Sequence, residues 1–157
     1  MCDDNELTLQ HPFAAHALML IEARVIAIIG KYQQDAHYKP ESGGILLGYR
    51  RDRHLHIVDA TVPQTADRRT LFQFWRRDRR HQEAATKLWG ETNETGDYLG
   101  EWHTHPEIQP MPSGLDLAEW RKICKNRVFL IAGTRGAMWT GVGQGDAIRP
   151  CPSDAQS

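Results

Sequence analysis

Hydrophobic residues in the N-terminal part of the chain recur with helical spacing. A short apolar stretch over Leu7–Leu9 predicts a strand. Apolar residues then follow at intervals of three and four, and Pro12 suits the first turn of a helix. The positions concerned are Ala14, Leu18, Ile21, Val25, Ile28 and Ile29. Gly30 and the polar stretch Gln33–Pro40 would end the helix, so the pattern predicts one strand and one long helix in this part of the chain.

The middle of the chain alternates between strand and helix patterns. Two apolar runs joined by a charged turn, Arg50–Arg53, predict a hairpin, and a further run predicts a separate strand. These three runs are Ile45–Tyr49, His54–Val58 and Thr70–Trp75. A helix is predicted over Asp78–Trp89, with Asp78 as its N-cap and Gly90 as its stop, and a loop is predicted over Asn93–Asp97.

The C-terminal part completes an α+β pattern. A strand is predicted over Tyr98–His105 and a helix from Ser113 to about Lys125, and two strands follow over Val128–Ala132 and Met138–Val142. Strands in runs with helices between them favour a mixed, largely antiparallel sheet flanked by helices. At 157 residues we expect one domain over 1–157, with its core at about 7–145 and a flexible tail over 149–157.

Composition and charge indicate which partners and which cellular location to expect. The chain is 40% hydrophobic and 25% charged, and its formal net charge of -1 gives no general attraction to nucleic acid or to acidic membranes. Charged residues interrupt the apolar run Phe13–Ile29, so it does not predict a membrane span. The cysteines are few and scattered, and the acidic N-terminus lacks the basic region of a signal peptide. We therefore expect a cytoplasmic protein.

The residues around His103-Thr104-His105-Pro106 are candidates for a metal site. Side chains two apart in a strand point to the same face, so His103 and His105 can converge on one ion. Asp116, just inside the next helix, is the natural third ligand, because a catalytic zinc site has three protein ligands and leaves a position for water. Prolines at 106, 110 and 112 stiffen the loop between strand and helix.

Two further residues would complete a hydrolase. Glu41 precedes Ser42-Gly43-Gly44 at the start of an apolar strand and is the candidate general base and acid. Ser113 would donate a hydrogen bond to the oxyanion. Each residue also has a simpler interpretation: strand histidines often lie on a wet face, Glu41 alone is typical of a surface residue, and Ser113-x-x-Asp116 matches a capping box. On this interpretation Asp116 could not easily both cap a helix and bind a metal.

Together these residues resemble the motif of the JAMM (MPN+, JAB-domain) zinc metalloproteases. That motif has a Glu, a long gap, His-x-His, ten residues and an Asp, with a Ser three before the Asp. The resemblance, over roughly 7–145, implies an α/β/α-like JAMM fold with one zinc ion on His103, His105 and Asp116. It also implies Glu41 as the general base and Ser113 as the oxyanion donor. Members of the family cleave peptide or isopeptide bonds after the C-terminal tails of ubiquitin-like proteins.

The flanking sequence resembles a narrower bacterial branch. Phe72–Trp89, Tyr98–Trp102 and the residues from Asp116 are similar to the JAMM deconjugases of CBASS antiphage systems. Such enzymes act beside an E1–E2-like protein that conjugates a cGAS-like nucleotidyltransferase (CD-NTase) through its C-terminus. The resemblance therefore implies a conjugated protein substrate, with no nucleic-acid or membrane partner. Processing of a different ubiquitin-like protein and a non-catalytic, metal-binding scaffold are the alternatives.

Two other functions, nucleic-acid binding and zinc-dependent deamination, are less well supported by the sequence. A basic run at Arg76–Arg80 favours a solvated helix start, with an acidic protein partner as the alternative, because no aromatic stacking array for nucleic acid accompanies it. A zinc deaminase would need an H-x-E motif together with P-C-x-x-C, and the chain lacks the second of these motifs.

Overall fold

A computed structural model describes residues 6–123 and 125–152 of the chain. The described residues form three helices and ten strands. The helices are α1 (Ala23–Gly30), α2 (Arg79–Glu91) and α3 (Gly114–Arg121). The strands are β1 (Leu7–Gln10), β2 (Leu18–Ile21), β3 (Gly43–Arg51), β4 (His54–Ala60), β5 (Arg68–Arg69), β6 (Phe74–Trp75), β7 (Gly96–Thr104), β8 (Lys125–Ala132), β9 (Met138–Gln144) and β10 (Ala147–Pro150).

Eight of these strands make one mixed sheet in the order β1-β2-β4-β3-β7-β8-β9-β10. Two neighbouring pairs, β2 with β4 and β7 with β8, are parallel, and the remaining pairs are antiparallel. Strands β5 and β6 form a separate two-stranded hairpin. The predicted fold class, α+β with a largely antiparallel sheet, is confirmed.

Strand β7 lies inside the sheet between β3 and β8, and this position fixes the end that carries the two histidines. His103 lies opposite Gly43 of β3 and beside Ile131 of β8. Gly100 lets β7 approach β8 closely, since a Cβ atom there would lie 1.8 Å from the carbonyl oxygen of Val128. The C-terminal end of β7 and the N-terminal end of β3 therefore lie side by side.

The main core is on the face of the sheet that α1 covers. It contains Trp102, Ile21, Val25, Ile29, Leu46, Leu55, Ile57, Leu99, Val128 and Leu130. The opposite face packs in two smaller clusters, one under α2 and one around Trp120 of α3. None of the helices in the described parts of the chain is both long and apolar enough to cross a membrane.

The long helix predicted from Ala14 to Ile29 is wrong in its first half. Leu18–Ile21 is strand β2, which pairs with β1 on one side and runs parallel to β4 on the other. Glu22 has an extended backbone, and only Ala23–Gly30 is helical. The apolar run Leu18–Ile21 is compatible with both a helix and a strand, and it forms a strand because it pairs with neighbouring strands on both sides. The end of the helix at Gly30 is confirmed.

Several other boundaries differ from the sequence predictions. The predicted strand Thr70–Trp75 is the turn and second strand of the β5–β6 hairpin. Gly90 lies inside α2, which ends one residue later, whereas the Asp78 N-cap is confirmed because its side chain accepts a hydrogen bond from Arg80 N. Helix α3 ends at Arg121, since Lys125 already pairs with β9. In the predicted tail, Arg149 and Pro150 belong to β10, and residues 153–157 lie outside the described part of the chain.

Candidate metal centre and catalytic cleft

The predicted ligands His103, His105 and Asp116 come together at the end of β7. The Nε2 atoms of His103 and His105 are 3.1 Å apart. Asp116 Oδ1 lies 3.3 Å from His103 Nε2, and Asp116 Oδ2 lies 3.1 Å from His105 Nε2. Two ligands at about 2.0–2.1 Å from one tetrahedral ion are themselves about 3.3 Å apart. The spacing and chemistry of these donors therefore fit a single zinc ion.

Local structure explains this convergence. His103 and His105 alternate with Thr104, so their rings share one face at the end of the strand. The ring of Trp120 packs 5.6 Å from that of His103 and stacks on Phe129, which gives the site an apolar wall. Trp102 points the other way into the main core, where its Nε1 donates to the carbonyl of Thr61 at 2.8 Å.

Ser113 and Asp116 form the predicted capping box at the start of α3. Asp116 N donates to Ser113 Oγ at 3.1 Å, and Ser113 N donates to Asp116 Oδ2 at 2.8 Å. Asp116 nevertheless keeps Oδ1 directed at His103. Since Ser113 Oγ accepts its hydrogen bond, its own proton is free to be donated. The capping box thus orients Asp116 rather than competing with the histidines.

Glu41 completes the group from the segment just before β3. A carboxylate oxygen of Glu41 and one ring nitrogen each from His103 and His105 all lie within 4.8 Å of one another. Glu41 is 3% exposed, although it carries a carboxylate. The structure therefore brings all five residues named from the sequence to one place.

Burial and charge set the protonation of these groups. Burial raises the pKa of Glu41 to about 8, the positive charge of His105 acts in the opposite direction, and Asp116 raises the pKa further. Any added positive charge in the site would lower it as His105 does. For Asp116 burial alone would raise the pKa, but hydrogen bonds from both histidines hold it well below its usual range. Burial would lower the pKa of His105, yet its hydrogen bond to Asp116 gives a net rise.

A cleft of about 240 Å³ leads away from this group. Its walls come from the β5–β6 hairpin on one side and from α3 on the other, and they include Phe74, Trp75, Glu101, Ser113 and Leu115. Phe72, at the tip of the hairpin, is 74% exposed. The cleft also includes Glu41 and His103 in its lining, so it reaches the buried carboxylate and imidazole.

A buried polar network holds the chain behind the site. Thr104 Oγ1 accepts from Ser42 N at 3.0 Å and donates to Gln34 Oε1 at 2.9 Å. Gln34 Nε2 in turn donates to the carbonyl oxygens of Lys39 and Leu71, each at 3.1 Å. Gln34 is 4% exposed, so these bonds are shielded from water. The network connects the end of β7 with the segment before β3 and with the β5–β6 hairpin.

Two residues near the site were not identified from the sequence. Glu107 Oε1 lies 3.5 Å from Nδ1 of His105, a buried atom that has no hydrogen-bond partner among the described residues. Arg69 donates to the carbonyl of Glu41 and to Ser42 Oγ. Glu107 follows the His-Thr-His-Pro run directly, a signal that could have identified it. Arg69 offers no such signal, because in the sequence it is one arginine beside many.

The basic run is mostly ion-paired. Arg76 contacts Glu101 at 2.6 Å, Arg79 contacts Glu83 at 3.3 Å, and Arg80 contacts Asp78 at 4.0 Å. These ion pairs support the interpretation of the basic run as the solvated start of a helix.

Comparison with known proteins finds one matching family and several similar proteins. The family described as prokaryotic homologs of the JAB domain (Prok-JAB) matches residues 23–142. A Vibrio cholerae protein named CD-NTase/cGAS isopeptidase is 34% identical over 143 residues, covering 90% of both chains. A protein of the same name from Pseudomonas aeruginosa is 39% identical, and the match covers 70% of this chain and 75% of that protein. Another, from Escherichia coli, is 35% identical, and the match covers 87% of this chain and 88% of that protein.

Solved structures support the fold. A solution structure of a protein from Desulfitobacterium hafniense has a TM-score of 0.55 and 18% identity, covering 80% of this chain and 81% of its own. A second, from Salinibacter ruber, has a TM-score of 0.54 and 20% identity, covering 84% and 90%.

Proposed function

This chain belongs to the Prok-JAB family, the prokaryotic homologs of the JAB domain, and we propose that it is a zinc-dependent isopeptidase that removes a CD-NTase from its conjugates. As a member of this family with isopeptidase-named relatives, it is a hydrolase of the isopeptidase type. The observation that carries the zinc proposal is the 3.1–3.3 Å spacing among His103 Nε2, His105 Nε2 and the carboxylate of Asp116.

In this proposal His103, His105 and Asp116 would hold the zinc ion. When bound, zinc would lower the pKa of a coordinated water towards about 7 and polarise the carbonyl of the scissile bond. Glu41 takes the proton of the attacking water on its carboxylate and delivers it to the leaving amine. The Ser113 hydroxyl, whose proton is not used in the capping box, donates to the oxyanion of the tetrahedral intermediate. The burial of Glu41 favours this role, because a carboxylate whose pKa is raised well above 4.5 is a stronger proton acceptor when it is ionised.

The substrate is proposed from the relatives and from the cleft. Three relatives that align over most of this chain are named CD-NTase/cGAS isopeptidase. The cleft between the hairpin and α3 suits an extended C-terminal tail, with the scissile bond beside Glu41. The setting we propose is the bacterial cytoplasm, beside an E1–E2-like protein that makes the conjugate.

The test is cleavage of a CD-NTase from the same genome, fused through its C-terminal residue to green fluorescent protein. Wild type is expected to release free fluorescent protein, and Glu41→Gln to release none while retaining its zinc by elemental analysis. Glu83→Gln, on the exposed face of α2, is the matched control and should cleave as wild type does. Cleavage by Glu41→Gln at the wild-type rate would contradict the mechanism. No cleavage by zinc-loaded wild type, with cleavage of another ubiquitin-like fusion, would contradict the substrate.

A further inference from the structure

The backbone of Glu41 is hydrogen-bonded to the β5–β6 hairpin. It precedes β3, whose first residue is Gly43. Its backbone N–H donates to the carbonyl of Thr70 at 2.8 Å, and its own carbonyl accepts from Arg69 Nε at 2.9 Å. Both backbone polar groups of Glu41 are therefore satisfied by residues of the hairpin.

Ser42 is held from two directions. Its backbone pairs with Thr104 at the end of β7, through Thr104 N to Ser42 O at 2.9 Å and Ser42 N to Thr104 Oγ1 at 3.0 Å. Its hydroxyl accepts from Arg69 Nη2 at 2.6 Å. Arg69 thus bridges two consecutive residues with two nitrogens of one planar guanidinium, a geometry that the single ammonium group of lysine cannot reproduce.

The same hairpin forms a wall of the cleft. Arg69 pairs with Phe74 in the β5–β6 ladder, and Phe74 lines the cleft. The hairpin base is also fixed: Asp67 accepts hydrogen bonds from Gln64 N, Arg77 N and Asp78 N, and its Oδ2 lies 2.6 Å from Nε2 of the buried His81. A rigid base and a bonded first strand make the hairpin a stable support for Glu41.

We propose that Arg69 is a positioning residue that aligns the Glu41 carboxylate from the cleft hairpin, so that turnover depends on its two hydrogen bonds. This inference rests on the proposed function, because it requires Glu41 to be the proton carrier. Arg69 contacts none of His103, His105 and Asp116 among the described residues, so we expect its variants to retain zinc. A misplacement of a reacting group by about 1 Å lowers turnover by about 100-fold, which sets the scale of the effect.

The test measures kcat, KM, zinc content and melting temperature on the CD-NTase fusion for Arg69→Ala and Arg69→Lys. The matched controls are Arg68→Ala and Arg68→Lys, since Arg68 is the neighbouring arginine of the same strand and its guanidinium lies over Trp75 rather than on the Glu41 segment. We expect both Arg69 variants to lose about 10- to 100-fold in kcat, with KM within about threefold and full zinc content. We expect kcat of the Arg68 variants to stay within about twofold of wild type.

Chemical rescue separates positioning from folding. Methylguanidine at millimolar concentration should restore part of the kcat of Arg69→Ala and none of that of Glu41→Gln. Wild-type kcat in Arg69→Ala, a loss confined to KM, or a loss that follows zinc content would each overturn the inference. If Arg69→Ala does not fold, the kcat of Arg69→Lys decides alone. An active Glu41→Gln would defeat the proposed function itself, whereas an inactive Glu41→Gln beside a fully active Arg69→Ala would defeat this inference only.

Discussion

Ser113 and Asp116 cap helix α3 reciprocally, each donating its backbone N–H to the side chain of the other. Asp116 Oδ2 accepts from Ser113 N and also lies 3.1 Å from His105 Nε2, while Oδ1 lies 3.3 Å from His103 Nε2. Helix capping and the proposed metal ligation are therefore served by one pair of residues. Substitutions at Ser113 should affect stability and catalysis to different extents.

We predict that Ser113→Ala and Ser113→Gly lose activity to the same extent, but that Ser113→Ala loses more stability than Ser113→Gly. Both remove the hydroxyl donor, so kcat should fall by about 100- to 1,000-fold in each. Alanine at an N-cap costs about 0.5–2 kcal/mol, whereas glycine costs only a few tenths. Urea unfolding and steady-state kinetics on the same samples measure both, with Ser113→Thr as the variant that keeps hydroxyl and cap. A kcat that follows stability, with Ser113→Gly nearly as active as wild type, would show that the cap alone matters.

The metal-free protein should lose stability as the pH rises from about 5 to 8. The folded-state pKa of Glu41 is raised from 4.5 to about 8, chiefly by burial, so in this range the folded chain holds a proton that the unfolded chain releases. The free energy of unfolding therefore falls with rising pH. The raised pKa of His105 acts in the same direction, since its contribution is full below about 6.5 and is lost above.

Glu41→Gln should flatten this pH dependence, because glutamine cannot ionise. Melting temperatures in a chelator at pH 5, 6.5 and 8 measure the effect, and the variant should gain most over wild type at pH 8. The raised pKa of His105 should leave a residual slope of the same sign. Glu83→Gln, whose side chain is exposed, should keep the wild-type slope. Parallel curves for wild type and Glu41→Gln would show that Glu41 is not buried as described.

Glu107 should strengthen zinc binding through His105. Nδ1 of His105 is buried without a hydrogen bond among the described residues, and Glu107 Oε1 is 3.5 Å away. A carboxylate that accepts the second N–H of a ligating histidine is worth about 10- to 100-fold in metal affinity. We expect Glu107→Ala to weaken zinc binding by that factor and Glu107→Gln, which keeps an acceptor, by less. Competition with a chromophoric chelator gives the affinities.

The control for Glu107 is Glu91→Ala on α2, whose side chain pairs only with Lys87 among the described contacts. It should bind zinc with wild-type affinity. Equal affinities for Glu107→Ala and Glu91→Ala would exclude a role of Glu107 at the metal site.

Two glycines should respond oppositely to substitution by alanine. A Cβ at Gly44 would lie 2.1 Å from the carbonyl oxygen of Thr61, so Gly44→Ala must displace backbone beside the site and should cost about 1–3 kcal/mol or more. A Cβ at Gly90 meets nothing within 4 Å, and Gly90→Ala should stabilise α2 by about 0.5–1 kcal/mol. Urea unfolding tests both. A neutral Gly44→Ala would mean that β3 and the chain after β4 are less tightly packed than described.

The sequence predicted the centre of the sheet from local patterns, and it named five candidate site residues that the structure brings close together. Strands β3 and β8 carry continuous apolar runs, and β4 alternates polar and apolar residues. The His-x-His spacing places two imidazoles on one strand face whatever the rest of the fold does. The orientation of the Asp116 carboxylate also has a local cause, the capping box at the start of α3.

Elements that depend on distant pairing could not be predicted in this way. Leu18–Ile21 is a strand only because β1 and β4 flank it. The contacts of Arg69 with Glu41 and Ser42 join residues 28 and 27 positions apart, across a hairpin too short to leave a periodic signal. The support of the candidate base is therefore visible only in three dimensions.

Diffraction at the zinc absorption edge from crystals of the zinc-loaded protein tests the central claim most directly. We predict one anomalous peak within coordination distance of His103 Nε2, His105 Nε2 and Asp116 Oδ1, with a water as fourth ligand and Glu41 in hydrogen-bond contact with that water. A peak elsewhere, no peak, or direct coordination of the ion by Glu41 in place of the water would contradict the account.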